Sequence, residues 1–135
     1  MGRGSLRFFA RAVPLMVALS ISAGQTAGAA EIMPFDGKKF AEAQKSGVTI
    51  IVGAHADWCP TCKKQEPVIE NLSKDGKFAT AIVFKVNFDT DKEALKLLKI
   101  SYQSTLIVFK GNKEAGRSVG ETDPGKIRAL FEKGI

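Results

Sequence analysis

Val48-Thr49-Ile50-Ile51-Val52, with Trp58-Cys59-Pro60-Thr61-Cys62 shortly after it, is the stretch from which the architecture of this chain is read. The first segment is a nearly continuous β-branched apolar run, as expected of a strand covered on both faces. Past the cysteines, Val68, Ile69 and Leu72 fall on one face of a helix expected to end near Gly76. The two cysteines therefore sit where a central strand gives way to a helix, the place where open α/β sheets build their sites. A helix start offers unpaired N–H groups and the positive end of the macrodipole. Both favour a thiolate. Pro60 suits the first turn, where its missing N–H costs nothing. On this reading Cys59 is the exposed attacking thiol, and Cys62, one turn further in, the thiol that resolves a mixed disulfide.

Working outward, Asp36 to Lys45 carries Phe40 and Ala43 at helical spacing and stops at Gly47. Ala81 to Phe88 reads as a second buried strand. Thr90-Asp91-Lys92-Glu93 has the capping-box pattern and opens a helix through Leu95 and Leu98. Thr105 to Phe109 is a third strand, Gly111-Asn112 a turn, and Glu114 to Val119 a weaker fourth strand forming a hairpin with the third. Asp123-Pro124 starts a last helix that buries Ile127, Leu130 and Phe131. The order implies an α/β fold, a mixed central sheet of four or five strands with helices on both faces.

The N-terminus bears on the compartment. Residues 1–29 hold Arg3, Arg7 and Arg11, then an apolar run from Ala12 to Ala23, then small residues ending Ala27-Gly28-Ala29 before Ala30. These are the three parts of a secretory signal peptide, cleaved near Ala29/Ala30. The apolar run, about 12 residues, is short of the roughly 20 that span a bilayer, which weighs against a retained anchor. The remaining domain, 30–135, has the size of one ordinary small unit. Removing three arginines takes the formal charge from +6 to +3. Its lysines are scattered, without a basic cluster interleaved with aromatics, so nucleic acid is not an expected partner.

Both cysteines lie in one C-x-x-C. Secreted domains stapled by disulfides normally carry several, well separated. A bond between residues three apart closes a tiny loop and restrains the unfolded chain little. Redox chemistry or metal binding remains. Structural zinc wants four protein ligands, and the sequence offers two cysteines and one histidine, His55. A metal-binding module is thus the weaker alternative, and no metal or other cofactor is expected beyond the redox-active pair.

The chain resembles the thioredoxin family over nearly all of 35–133. The matching pieces are Ala56-Asp57-Trp58-Cys59-Pro60-Thr61-Cys62-Lys63, Pro67 in the active-site helix, Lys85-Val86-Asn87, Thr105 to Gly111, and Gly120 before the last helix. Asp57-Trp58-Cys59 with Glu66 also resembles periplasmic relatives. The resemblance implies the thioredoxin fold and disulfide exchange with other proteins through transient mixed disulfides. It implies catalysis by Cys59 and Cys62, with Trp58, Pro60, Thr61, Ser104 and Thr105 as the active-site loop and partner-facing residues. Three departures stand out. Gly53 replaces a buried aspartate that moves protons in the family, whereas Lys85, that acid's companion, is retained. Glu66 follows Cys62 by one helical turn and is expected to take over as its proton acceptor. Ser104 replaces a cis-proline; a non-proline cis bond costs about 2.5–4 kcal/mol, so a trans, freer loop is expected, with a hydroxyl able to reach a sulfur. His55 replaces an aromatic and, with Lys85, is a candidate modulator. Thr61 stands where the family's strongest oxidants have histidine, which leans the reading from dithiol oxidase towards reductase. A monomer served by a membrane electron donor is the expected setting.

Overall fold

The computed structural model describes Gly2 and residues 28–135. The signal-peptide reading of 1–29 lies outside these residues except for Gly2, Gly28 and Ala29. The elements run β1 (Glu31–Pro34), α1 (Gly37–Ser46), β2 (Thr49–His55), α2 (Pro60–Ser73), a short 3-10 turn (Gly76–Phe78), β3 (Ile82–Asn87), α3 (Lys92–Leu97), β4 (Thr105–Lys110), β5 (Lys113–Val119) and α4 (Pro124–Glu132).

Five strands form one sheet in the order β1-β3-β2-β4-β5. β1 and β2 run parallel to β3, and β4 runs antiparallel to β2 and β5. Strand β2 is central and buried on both faces, which is why its sequence alternates so little. Its even positions Ile50, Val52 and Ala54 pack with Phe40 and Ala43 of α1 and with Ala94 and Leu95 of α3. Ile51 faces the other way, into a layer with Leu72 of α2 and Ile127, Leu130 and Phe131 of α4. Helices thus cover both faces. The period of two along the strand sorts the core into two layers.

Two local expectations are corrected, and a fifth strand joins the four read from the sequence. Strand β1, four residues ending in proline at the sheet edge, carries no alternation that sequence could reveal. Helix α2 stops at Ser73, and the chain to Phe78 makes a separate turn capped by Asp75. The capping box at Thr90–Glu93 does not form: Asp91 is the N-cap without a side-chain cap bond, and its carboxylate accepts from Asn87 N–H at 2.8 Å. Asn87 Oδ1 in turn accepts from the N–H groups of Asp89 and Thr90. A side chain satisfying its own loop has outcompeted the helix cap.

Candidate active site

The last residues of β2 carry the chain out of the sheet into the N-terminus of α2. Cys59 is the N-cap, in extended conformation, with Pro60 in the first turn. Its Sγ accepts the N–H of Cys62 at 3.1 Å, so an otherwise unpaired helix donor points at sulfur. Cys59 and Cys62 form a disulfide, with Cα atoms 5.3 Å apart. Once reduced, the same N–H stabilises a thiolate on Cys59 in preference to a thiol. Pro67 lies inside α2, so the carbonyl one turn before it has no helical donor.

The expected exposure of the two sulfurs is not what the fold provides. Cys59 is 1% exposed and Cys62 6%. Cys59 is enclosed by Ala56, Cys62 and half-buried Phe88. In the disulfide form Cys59, expected to be the exposed thiol, is the more shielded of the two.

Trp58 is 56% exposed beside the disulfide, with its Nε1–H donated to both carboxylate oxygens of Asp89, at 3.1 and 3.0 Å. Asp89 lies in the β3–α3 loop, so no local pattern could have paired it with Trp58. Pro60 is exposed and Thr61 half-buried at the helix start.

Ser104 precedes β4 with a trans peptide and φ of 59°, the left-handed region. The loop it occupies is not freer. Ser104 N–H donates to Ala54 O at 2.8 Å, and its carbonyl accepts from Gly120 N–H at 3.1 Å and from Gln65 Nε2 at 3.0 Å. Its hydroxyl donates to the Gln103 carbonyl, not to a sulfur. Thr105 Oγ1 donates to Tyr102 O at 2.7 Å and closes the same turn. Gln65 donates a second bond to Glu121 O at 2.8 Å, so one buried amide on the active-site helix ties down two loops. Sequence reading passed over Gln65. Its only signal was a polar residue one turn past Cys62, on the face the sheet covers.

Beneath Cys62 lies a cavity of about 480 Å³, lined by Gly53, His55, Cys62, Glu66, Ile69 and Lys85 among others. Glu66 therefore shares a cavity with Cys62, although the structure gives it no hydrogen bond to sulfur. Its Oε1 accepts from Lys85 Nζ at 2.6 Å. That bond and the ammonium's charge hold the Glu66 carboxyl below the ordinary glutamate range, so it is ionised at neutral pH. Cys62 Sγ lies 3.8 Å from Ala54 O. Nδ1 of His55 is buried without a hydrogen-bond partner. Among the described residues, no group of three or more His, Cys, Asp and Glu side chains is placed to hold a metal ion.

A family model described as thioredoxin matches residues 31–133. Thioredoxin of Chlamydia trachomatis serovar D is 33% identical over 96 residues, covering 71% of this chain and 91% of that protein. Thioredoxin-2 of Saccharomyces cerevisiae is 32% identical over 86 residues, covering 64% of this chain and 80% of its own length. Among solved structures, Trxlp from Edwardsiella tarda EIB202 is 40% identical with a TM-score of 0.73, covering 75% of this chain and 98% of that one.

Proposed function

Since the chain belongs to the thioredoxin family, we propose that this thiol–disulfide oxidoreductase is a periplasmic or secreted reductase of protein disulfides. The observation that carries the reading is the Cys62 N–H aimed at Cys59 Sγ, which makes Cys59 the better thiolate. Cys59 attacks a partner's disulfide, its sulfur bonds to one partner sulfur, and the other leaves as thiolate. Cys62 then attacks Cys59 Sγ, releasing the reduced partner and closing the internal disulfide. Trp58, Pro60 and Thr61 frame the docking face.

Cys62 must lose its proton before it attacks. Glu66, ionised and facing the same cavity, accepts that proton, and Lys85 keeps the carboxylate charged at some cost to its basicity. A monomeric chain rereduced by a membrane electron donor completes the cycle. Processing near Ala29/Ala30 is supported by the described residues there: Ala30 is buried, its N–H donated to Ser73 O at 2.7 Å, whereas Gly28 and Ala29 are exposed.

Trapping tests the roles. Cys62→Ser is expected to accumulate mixed disulfides with exported proteins and Cys59→Ser to accumulate none; the reverse pattern overturns the assignment. Glu66→Gln is expected to slow resolution while leaving capture by Cys59 intact. The direction rests on the reduction potential of the pair. A value near about −270 mV, as in thioredoxin, supports the reductase, and one near about −120 mV, as in the strongest oxidants of this fold, sinks it.

A further inference from the structure

The cavity under α2 reaches one sulfur residue only. Cys62 lines it and Cys59 does not. The disulfide thus borders the cavity on its Cys62 side, where Gly53 also lines the wall, whereas Cys59 packs with Ala56 and Phe88. The cavity's volume of about 480 Å³ falls within the range of small-molecule sites.

Its chemistry suits a charged thiol of low molecular weight. Of the lining residues, Ile32, Ile69 and Val83 are apolar. Charged residues of both signs also line it: Lys63 and Lys85 against Asp57, Glu66 and Glu70. His55, whose buried Nδ1 lacks a partner, supplies one further polar atom. A molecule carrying ammonium and carboxylate groups finds counter-charges there.

We infer that this cavity is a second entrance to the disulfide, by which a small zwitterionic thiol reduces the enzyme through attack on Cys62 and not on Cys59. The incoming thiolate bonds to Cys62 Sγ, the Cys59–Cys62 bond breaks, and its electron pair leaves on Cys59 Sγ. A second thiolate attacks the small molecule's own sulfur, giving the small disulfide and releasing Cys62 as thiolate. Two thiols are oxidised and one protein disulfide is reduced. The leaving group favours this route, because exchange is faster when the departing thiolate is the more stable one. Cys59 Sγ is the sulfur that already accepts the Cys62 N–H, at 3.1 Å.

The inference rests on the pair being redox-active and is independent of the direction proposed for protein partners. Its test uses the oxidised full chain and reduced glutathione as probe. The reaction is acid-quenched in the first turnover, free thiols are blocked with N-ethylmaleimide, and fragment-ion mass spectrometry locates both labels. Glutathione on Cys62 with maleimide on Cys59 is expected. Glutathione mainly on Cys59, or evenly on both, overturns the second entrance without touching the capture of protein disulfides by Cys59. A second arm narrows the cavity. A Cβ on Gly53 would stand 3.5 Å from Leu106 Cδ2 and 3.9 Å from Ile69 Cδ1, ordinary contacts, so Gly53→Ala is sterically admissible and Gly53→Val fills more of the space. Reduction by glutathione is expected to slow severalfold, more for Val than for Ala. Wild-type rates in a folded variant overturn the cavity as the path; Gly53→Ala decides if Gly53→Val does not fold.

Discussion

Ser104 concentrates what is distinctive at the scale of single residues. Its φ of 59° is a conformation that L-residues adopt at a cost of about 1–2 kcal/mol, and its N–H is spent on Ala54 O. Proline requires φ near −65° and has no N–H. Ser104→Pro is therefore expected to lower stability by about 3 kcal/mol or more in urea unfolding, and Ser104→Gly, which relieves the left-handed strain, to leave stability equal or higher. A proline variant as stable as the parent would show that the loop adopts another conformation freely. The departure at this position was visible in the sequence. Its consequence was not, because the residues that hold the loop, Ala54, Gln65 and Gly120, come from three different elements.

The elements themselves follow from local rules wherever one rule acts alone. Asp36 caps α1 through Lys39 N–H, Gly47 ends it with a φ of 74°, and Asp123 caps α4 through Lys126 N–H. α3 shows two rules in competition, with Asn87 taking the Thr90 N–H that a capping box would have used. The end of α4 shows a constraint of a different kind. Gly134 follows the helix with its Cα against β2 and β4, so that an added Cβ would stand 2.7 Å from both Thr49 Cγ2 and Val108 Cγ1. Its carbonyl also accepts from the buried Thr49 hydroxyl. Gly134→Ala is expected to cost about 1–3 kcal/mol, the usual penalty for overpacking, read as a lower denaturation midpoint with an unchanged slope. An unaltered midpoint would mean that the tail swings away freely.

Across the whole molecule, ion pairs join elements distant in sequence. Lys85 of β3 meets Glu66 of α2, Lys77 meets Glu132 of α4, and Arg128 of α4 meets Asp75. Arg117 pairs with Glu114 within β5 and donates to the Leu98 and Lys99 carbonyls behind α3. Glu66, Asp75, Glu114 and Glu132 all have lowered carboxyl pKa values; the first causes are hydrogen bonds from Lys85, from the Lys77 N–H, from Arg117 and from Lys77 respectively. A carboxyl depressed in the folded state stabilises it above the unfolded value and loses that contribution as pH falls through the folded value. Stability is therefore expected to hold while pH stays above the ordinary values of 4.5 for glutamate and 3.8 for aspartate, and to decline below them. The decline should be shallow, since these pairs are half-exposed and screened by solvent. Thermal melts across acid pH check this; a steep loss already above the glutamate value would point to a buried group instead.

Fold class, helices on both faces of the sheet and the place of the cysteine pair between strand and helix were legible in the chain alone. These depend on periodicity and on helix punctuation, which act over a few residues and leave their pattern in the chain. Lys85 and Glu66 were both singled out, yet only the parallel pairing of β3 beside β2, under α2, joins them. The burial of Cys59, the hold of Gln65 on Ser104, the anchoring of Trp58 by Asp89 and the cavity that Gly53 and Cys62 both line arise only in the tertiary structure. Each depends on groups from separate elements meeting at one end of the sheet.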